Sequence, residues 1–441
     1  MTQGLEQWLD REYRHAAVAM MASVSAVGIV KERPGFGQSM RPAVGSIIAS
    51  PVPGAYDPDP DYFFHWFRDS AVVIDAVRLL HEAGQMSEAD ALAHFADFVH
   101  FSLSLEALDG RSLVSAPAWR GKVVPDFEKY VRPNEEFANV RGSAVSADTR
   151  VNPDGSIDIS RWARPQHDGP PLRALSVLKW MRHHKVTPDA AKLLQHDLDF
   201  TARHWREPSF DIWEEESGHH YYTLRVSAAA LSEGAQRLRT EGKAKEADAL
   251  ETEARAIYGS LDSFWGEAAG YYSSRILPEG AKSTKELDIA VILSAVHAAG
   301  EGDAHTVRDP RMHATLSRLE ALFDAAYPIN HQRPAERAPA MGRYRGDVYY
   351  SGGAYYFSTL GASEFCFLAA TAHAPGCEER RKWVEHGDGF LETTRAFTPA
   401  SGDLSEQFDQ RTGEQTSAKH LAWSYAAFIS CVTARRLVAG R

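Results

Sequence analysis

The stretch TPDAAKLLQHDLDFTARH, residues 187–204, indicates the fold class of this chain. Thr187 is a suitable helix N-cap, because its hydroxyl can accept a hydrogen bond from a backbone N–H of the first turn, and Pro188 suits the first helical position. Hydrophobic residues then recur at the three- and four-residue spacing of one helix face. The stretch therefore predicts a helix over residues 190–204, opened by Thr187.

The same hydrophobic spacing recurs along the whole chain. It predicts about twelve helices, over residues 5–23, 69–83, 87–105, 170–184, 190–204, 224–240, 243–266, 287–299, 309–327, 354–372, 378–397 and 417–439. No run of alternating polar and apolar residues predicts a regular sheet, which argues against a parallel α/β fold, and strand pieces are expected only in loops. The chain is therefore predicted to be all-α.

No linker divides the sequence into domains. Segments rich in Gly, Ser or Pro are missing between the predicted helices, and the longest irregular stretch, 106–159, lies between two of them. We therefore predict a single domain over residues 1–441. Twelve helices in hairpin pairs can close into a ring of six inner and six outer helices, whose loops collect at one mouth and can carry function. Hydrophobic spacing does not distinguish this ring from an open helical solenoid, but no repeated sequence unit supports a solenoid scaffold.

Composition and charge exclude several kinds of partner. The 441 residues are 44% hydrophobic, which is enough for a large core, and the net charge is -11. Nucleic acid is not expected as a partner, because binding it needs a basic surface. No stretch approaches the roughly 20 apolar residues that span a bilayer, so no membrane partner is expected. Acidic residues precede the apolar segment 16–30, where a signal peptide would be basic, and the expected location is therefore cytoplasmic.

Neither a metal nor another cofactor is expected. The three cysteines, Cys366, Cys377 and Cys431, lack metal-ligand spacing and are too few for a disulfide framework. His219 and His220 are adjacent and point apart in an extended segment, whereas helical metal sites space their ligands by three or four residues. The sequence leaves the oligomeric state open.

Three consecutive glutamates stand in an aromatic setting in the segment FDIWEEESGHHYYT, residues 210–223. Side chains of Glu214, Glu215 and Glu216 point in different directions, so a loop suits them better than one solvated helix face. Trp213 and the like charge of the neighbours both disfavour ionisation, and a glutamic acid that stays protonated can act as a general acid. The alternative interpretation is a solvated acidic loop.

Three further segments mix aromatic and charged residues: PDYFFHWFRD at 60–69, RWARPQHDGP at 161–170 and LSEQFD at 404–409. Aromatic faces stack on the CH faces of sugars, while Arg and Asp side chains hydrogen-bond vicinal hydroxyls, so the mixture favours a carbohydrate pocket. For the first segment, the alternative is an aromatic loop that fills the core, with Asp69 as a helix N-cap. Glu406, between Ser405 and Gln407, is suited to be held ionised and to orient a water.

Together these segments resemble the glucoamylase family, glycoside hydrolase family fifteen. The resembling motifs occur in the family's order: GSIIASP at 45–51, the segment 62–69, RPQHDGP at 164–170, WEE at 213–215, GRY at 342–344, SEQ at 405–407 and WSYA at 423–426. The resemblance implies an (α/α)6 barrel, in agreement with the twelve predicted helices. It also implies that Glu214 is the general acid and Glu406 the general base.

Substrate-binding roles are expected at ten further positions. They are Tyr62, Trp66, Arg68, Asp69, Trp162, Asp211, Trp213, Glu215, Arg343 and Gln407. The resemblance implies that Arg68 and Asp69 grip the terminal glucose. Where many relatives have a Pro-Trp-Phe run, this chain has Ala354, Tyr355 and Tyr356, a departure expected to alter the aromatic lining beyond the first sugar.

The expected function is an inverting, exo-acting α-glucosidase that releases β-glucose from non-reducing ends of α-1,4-linked gluco-oligosaccharides. Cleavage of α-1,6 links is left open. The expected partner is a small-molecule glucan or gluco-oligosaccharide. The alternatives are an α-1,6-glucosidase of the isomaltose or dextran type, a trehalase, and a non-catalytic carbohydrate-binding barrel. Both glutamates and the Arg68–Asp69 pair argue against a pure binder, which needs no acid and base.

Overall fold

The structure is a computed structural model that describes residues 3–54, 59–298, 300 and 302–439. Helices dominate these ranges. They are α1 (Gln3–Met21), α2 (Phe67–Glu82), α3 (Glu88–Ser104), α4 (Arg111–Ser115), α5 (Asn134–Asn139), α6 (Gly169–His183), α7 (Pro188–His204), α8 (Tyr221–Thr240), α9 (Ala244–Leu261), α10 (Ala290–His297), α11 (Pro310–Ala326), α12 (Tyr356–Ala370), α13 (Glu378–Phe397) and α14 (Ala422–Ala439).

The strands are two to four residues long and lie between the helices. They are β1 (Lys31–Arg33), β2 (Gln38–Met40), β3 (His65–Trp66), β4 (Arg150–Val151), β5 (Ser209–Phe210), β6 (Ser217–His220), β7 (Trp265–Gly266), β8 (Tyr271–Tyr272), β9 (Arg275–Ile276), β10 (Ala354–Tyr355), β11 (Gln407–Phe408) and β12 (Gln415–Thr416). They pair antiparallel as β1–β2, β3–β4, β7–β8, β5–β6–β9 and β10–β11–β12. The strands are thus confined to loops, as the sequence predicts.

Six helices form a closed inner ring. In order around the ring, α2, α6, α8, α10, α12 and α14 each pack against the next, and α14 returns to α2. The outer helices α3, α7, α9, α11, α13 and α1 pack against α2, α6, α8, α10, α12 and α14 respectively. The predicted (α/α)6 barrel is therefore confirmed, and the open solenoid is excluded by the α14–α2 contact.

Burial distinguishes inner from outer helices. Every residue of α12 except Leu368 is buried, as expected of a helix surrounded by protein on all sides. Outer α13 instead exposes several charged residues, among them Glu379, Lys382 and Glu385. Gly361 allows α12 to approach α10 closely, because a Cβ at that position would lie 2.3 Å from a methyl carbon of Leu293.

The twelve predicted helices are present, with most ends displaced by a few residues. Thr187 and Ser87 cap α7 and α3, each accepting a hydrogen bond of 3.1 Å from the third residue on. The predicted end of the eighth helix, Ala299, lies outside the described residues. Helix α9 ends at Leu261 rather than at residue 266, because β7 pairs with β8. Helix α14 begins at Ala422 rather than at residue 417, because β12 pairs with β11.

The stretch 106–159 is less irregular than predicted. It contains α4, α5 and several 3-10 turns, and its apolar side chains form a satellite core together with four residues that precede the stretch. This core includes Phe36, Phe67, Phe101, Leu105, Val123, Val131, Phe137, Val140, Val145, Val151, Ile157 and Ile159. Within the described ranges, none of the helices combines the length and apolar character needed to cross a bilayer.

Candidate active site

A cavity opens where the loops gather at one end of the inner ring. Eight of the twelve predicted site residues line it: Tyr62, Trp66, Arg68, Asp69, Trp213, Glu214, Arg343 and Glu406. The remaining lining residues are Ala49, Ile212, Phe357, Leu421 and Trp423. The ring thus brings together side chains more than three hundred residues apart in sequence.

The loop with the three glutamates is a tight turn between β5 and β6. The Asp211 carboxylate fixes it by accepting hydrogen bonds from the backbone N–H groups of Trp213, Glu215 and Glu216, at 2.9, 3.1 and 3.2 Å. Arg275 of β9 donates a hydrogen bond of 3.0 Å from its Nη1 to Asp211 Oδ2. The side chains of the three glutamates consequently diverge, as predicted for a loop.

Glu214 lies among N–H donors at the cavity wall. Its Oε1 accepts hydrogen bonds from Trp66 Nε1 at 2.7 Å and from Arg68 Nη2 at 3.3 Å, and its Oε2 accepts one from Trp162 Nε1. The backbone of Glu214 has a φ of 66°, in the left-handed region that a side chain disfavours. Such strain is kept where the surrounding structure fixes it, which is frequent at functional sites.

Glu406 reaches the same cavity from the loop before β11. Tyr62 donates a hydrogen bond to its Oε1 at 3.2 Å, and the Ser417 hydroxyl donates one to its Oε2. A further hydroxyl, that of Tyr349, lies 2.9 Å from the Tyr62 hydroxyl. Glu406 is thus held by hydroxyl groups, whereas Glu214 is held by indole and guanidinium groups.

Burial raises the pKa of Glu406 to about 7, although the Ser417 bond, the Arg343 charge and the Tyr62 bond all lower it. The nearby carboxyl of Asp69 adds to the rise. Ionisation of Glu406 stays a prediction, and the hydrogen-bond donors that favour it are Ser417 and Tyr62. The neighbouring Ser405 and Gln407 side chains donate hydrogen bonds elsewhere, to the Gln407 carbonyl and to the Tyr355 hydroxyl.

Arg68 and Asp69 lie in the first turn of α2. Arg68 donates hydrogen bonds to Asp168 at 3.0 Å and to Gln166 at 3.1 Å, in addition to its contact with Glu214. Burial raises the pKa of Asp69 to about 6, against the lowering effect of Arg68. The alternative reading of Asp69 as a helix N-cap is wrong, because Trp66 occupies the N-cap position and Asp69 is the third residue of the helix.

Glu215 belongs to a second charged group beside the cavity. It accepts hydrogen bonds from Arg343 Nη2 at 3.1 Å, from the Tyr344 hydroxyl at 2.7 Å and from Lys285 Nζ at 2.7 Å. Arg343 is in turn held by both oxygens of Asp347, each at 2.6 Å. Glu215 therefore fixes the Arg343 guanidinium that lines the cavity.

The floor of the cavity is aromatic. Phe357 and Trp423 stack with ring centroids 4.3 Å apart, and Trp213 stacks on Phe357 at 6.0 Å. Trp423 Nε1 and Arg68 Nε are buried donors that have no hydrogen-bond partner within the described part of the chain. Because buried donors are normally paired, these two are suited to a ligand with acceptor oxygens.

Four predicted site residues do not line the cavity. Trp162 and Glu215 lie directly behind Glu214 and Arg343, which they contact. Asp211 and Gln407 are buried and hydrogen-bonded to protein: Asp211 supports the turn, and Gln407 donates to the Tyr355 hydroxyl at 2.8 Å. Their direct contact with substrate stays a prediction.

The expected change of lining at Tyr355 and Tyr356 is not seen. Both side chains are fully buried, and neither lines the cavity. Both are covered because β10 pairs with β11 at this point, and the hydroxyls bond to protein instead: Tyr355 donates to Asp347, and Tyr356 donates to the carbonyl of Phe397.

Sequence reasoning missed Asp347, Tyr349 and Ser417. Asp347 and Tyr349 follow the GRY motif within seven residues, so their proximity to a recognised motif was an available signal. The hydrophobic spacing predicts Ser417 at the start of the last helix. The residues around Ser417 in the sequence give no sign of its contact with Glu406. A φ of 63° instead turns the chain there and points the hydroxyl to the carboxyl.

The two histidines that follow the glutamate loop lie on β6. His220 Nε2 lies 3.0 Å from the carbonyl of Ser209, and His219 pairs with Ile276 of β9. Among the described residues, no group of three or more His, Cys, Asp and Glu side chains is arranged to hold a metal ion.

Known proteins share both the sequence pattern and the fold. A glucoamylase from Neurospora crassa is 28% identical over 443 aligned residues, covering 89% of this chain and 64% of that protein. A protein named "Probable glucoamylase" from Schizosaccharomyces pombe is 25% identical, covering 99% of this chain and 93% of its own length. The solved glycoside hydrolase family 15 glucoamylase from Hypocrea jecorina has the same fold, with a TM-score of 0.79 at 24% identity over 98% of this chain and 73% of that chain. Residues 36–108 and 142–433 match the model of Glycosyl hydrolases family 15, so this chain belongs to that family.

Proposed function

We propose that this protein is an inverting, exo-acting α-glucosidase that releases β-glucose from the non-reducing ends of α-1,4-linked gluco-oligosaccharides. The observation that carries the proposal is the pair of carboxyl groups, Glu214 and Glu406, in one cavity with different hydrogen-bond partners. Inverting glycosidases need two such groups, one to protonate the leaving oxygen and one to activate water.

In this proposal Glu214 is the general acid. It protonates the glycosidic oxygen as the bond to C1 breaks, while Glu406 removes a proton from the water that attacks C1 on the opposite face of the sugar. Glu406 must be ionised for this step, and burial keeps its pKa at about 7. The acid limb of the activity profile is therefore expected near neutral pH.

The shape of the cavity supports removal of a terminal sugar. Phe357 and Trp423 line both this cavity and a second one deeper in the ring, so the stacked pair separates the two. A glucan chain that enters from the mouth meets this floor after its first ring. Asp69 and the N–H groups of Arg68 Nε and Trp423 Nε1, which make no hydrogen bond within the described residues, offer partners for the hydroxyls of that ring.

The test is hydrolysis of a panel of glucose disaccharides: maltose, isomaltose and trehalose. The expected result is fastest cleavage of maltose, with β-glucose as the first-formed product in the NMR spectrum. First-formed α-glucose would contradict inversion. Preference for isomaltose or trehalose would replace the α-1,4 specificity by that of the α-1,6-glucosidase or the trehalase. Binding without any turnover would favour the non-catalytic barrel.

A further inference from the structure

Tyr355 connects the loop of Glu406 to the opposite side of the site. It lies on β10 directly opposite Gln407 on β11, and Gln407 follows Glu406 in sequence. Side chains of directly opposed residues project from the same face of a strand pair. Gln407 Nε2 accordingly donates a hydrogen bond of 2.8 Å to the Tyr355 hydroxyl.

The same hydroxyl donates to a buried carboxylate. Tyr355 lies 3.1 Å from Asp347 Oδ2, and Asp347 also holds Arg343 through two bonds of 2.6 Å. Arg343 lines the cavity and contacts Glu215. The Tyr355 hydroxyl therefore hydrogen-bonds to Gln407, which follows the proposed base, and to Asp347, which holds Arg343.

A second path returns from Asp347 to Glu406. The backbone N–H of Tyr349 donates to Asp347 Oδ1 at 2.9 Å, and its hydroxyl lies 2.9 Å from that of Tyr62, which donates to Glu406 Oε1 at 3.2 Å. The hydrogen bonds thus form a closed circuit that begins and ends at the Glu406 loop. Such a circuit restricts both the backbone and the carboxyl of the same residue.

We propose that Tyr355 is a positioning residue for the reaction, which holds the Glu406 carboxyl in register with Arg343 through Gln407 and Asp347. This inference rests on the proposed function. Tyr355 is fully buried and does not line the cavity, so it acts through other residues. The Tyr355 hydroxyl both accepts a hydrogen bond and donates one here, and phenylalanine can do neither.

Tyr356→Phe is a matched control for Tyr355→Phe. Tyr356 is the next residue, is also fully buried, and its hydroxyl also makes two bonds, one to the Phe397 carbonyl and one from Gln415 at 2.9 Å. Neither partner lines the cavity. Both variants lose one buried hydroxyl, so a general loss of stability should affect them alike.

The experiment measures kcat and KM for maltose, and kcat/KM against pH, in the wild type and both variants. Tyr355→Phe is expected to lower kcat roughly fivefold to twentyfold with little change in KM, since small misplacement of a reacting group is costly. Its acid limb is expected to move to higher pH, because Arg343 and Tyr62 lower the pKa of Glu406 and both lose support. Tyr356→Phe is expected to keep the wild-type kcat and profile.

Equal kcat and equal acid limbs in the two variants would overturn the inference. Should Tyr355→Phe fail to fold, Gln407→Met removes the same hydrogen bond from the other strand and is expected to shift the acid limb in the same direction. A wild-type profile for Gln407→Met would then overturn the inference. An inactive wild-type protein would instead overturn the proposed function, so the two failures are distinguishable.

Discussion

At the scale of single residues, the site depends on two carboxyl groups with different neighbours. Glu214→Gln and Glu406→Gln are each expected to lower kcat by at least about a hundredfold, because a positioned proton-transfer group contributes that much. Steady-state hydrolysis of maltose measures the loss, and circular dichroism checks the fold. The control is Glu414→Gln, an exposed residue eight positions after Glu406, which should retain full activity. Near-normal turnover in either site variant would remove that residue from its assigned role.

Ser417 tunes the proton affinity of Glu406. Its hydroxyl donates to Glu406 Oε2 and lowers the pKa of a carboxyl that burial raises to about 7. Ser417→Ala should therefore raise this pKa further. Because the proposed base acts when ionised, the activity that is lost as pH falls through about 7 should be lost at a higher pH in the variant. The acid limb of kcat/KM against pH checks this, and an unmoved or acid-shifted limb would contradict it.

Single residues were predictable where a motif carried them. Glu214, Glu406, Arg68 and Asp69 all lie in motifs that resemble the family, and all four line the cavity. The proton affinity of Glu406 was not predictable, because it depends on burial by residues remote in sequence. Ser417 was missed for a related reason: its role follows from one backbone turn rather than from residue type.

At the scale of elements, Arg275 holds the glutamate loop in place. It bonds to Asp211 at 3.0 Å, Glu216 at 2.7 Å and Asp288 at 2.7 Å, and its side chain is 1% exposed. Arg275→Met should destabilise the protein by roughly 3 to 5 kcal/mol, because it leaves buried carboxylates without their partner. It should also lower kcat, since Asp211 fixes the turn that carries Glu214.

Urea unfolding and maltose hydrolysis measure the two effects of Arg275→Met. The control is Arg255→Met, which removes an exposed ion pair with Glu251 and should cost no more than about 1 kcal/mol. If the two variants were equally stable and equally active, the loop would not depend on Arg275.

Helices were predictable as elements, but several of their ends were not. Hydrophobic spacing is a property of each helix alone, so twelve of them could be located from sequence. The C-terminal end of α9 depends instead on the pairing of β7 with β8, and the start of α14 depends on the pairing of β12 with β11. Two-residue strands of this kind have no periodicity of their own and form only when distant loops meet.

At the scale of the whole molecule, the inside of the ring contains a second cavity with a buried acid. Burial raises the pKa of Glu364 to about 7, while the hydrogen bond from Ser430 and the charge of Lys179 lower it. The folded protein therefore binds this proton more tightly than the unfolded chain does. The stabilisation is complete below about pH 4.5, declines as pH rises, and is lost above about pH 7.

Glu364→Gln should remove this pH dependence. With a pKa of about 7 in the folded protein against 4.5 in the unfolded chain, the contribution of Glu364 is roughly 3 kcal/mol. The variant should gain stability relative to the wild type between pH 5 and pH 8, measured by urea unfolding at each pH. A constant difference between the two proteins over this range would show that Glu364 keeps one protonation state.

The architecture as a whole was predictable only with the family resemblance. Helix spacing left the closed ring and the open solenoid equivalent, because both bury one face of each helix against neighbours. The contact that separates them, α14 against α2, joins the two ends of the inner ring. The single domain over residues 1–441 and the cytoplasmic location stay predictions.

Closure of the ring by α14 also sets the order of events during synthesis. The helix that completes the ring, α14, follows the other five ring helices along the chain, and it carries Trp423 of the cavity floor. Until Ala422–Ala439 has emerged, α2 lacks one of its two ring neighbours and exposes an apolar face. The ring must therefore remain open until this segment has emerged, and the cavity cannot be complete before then.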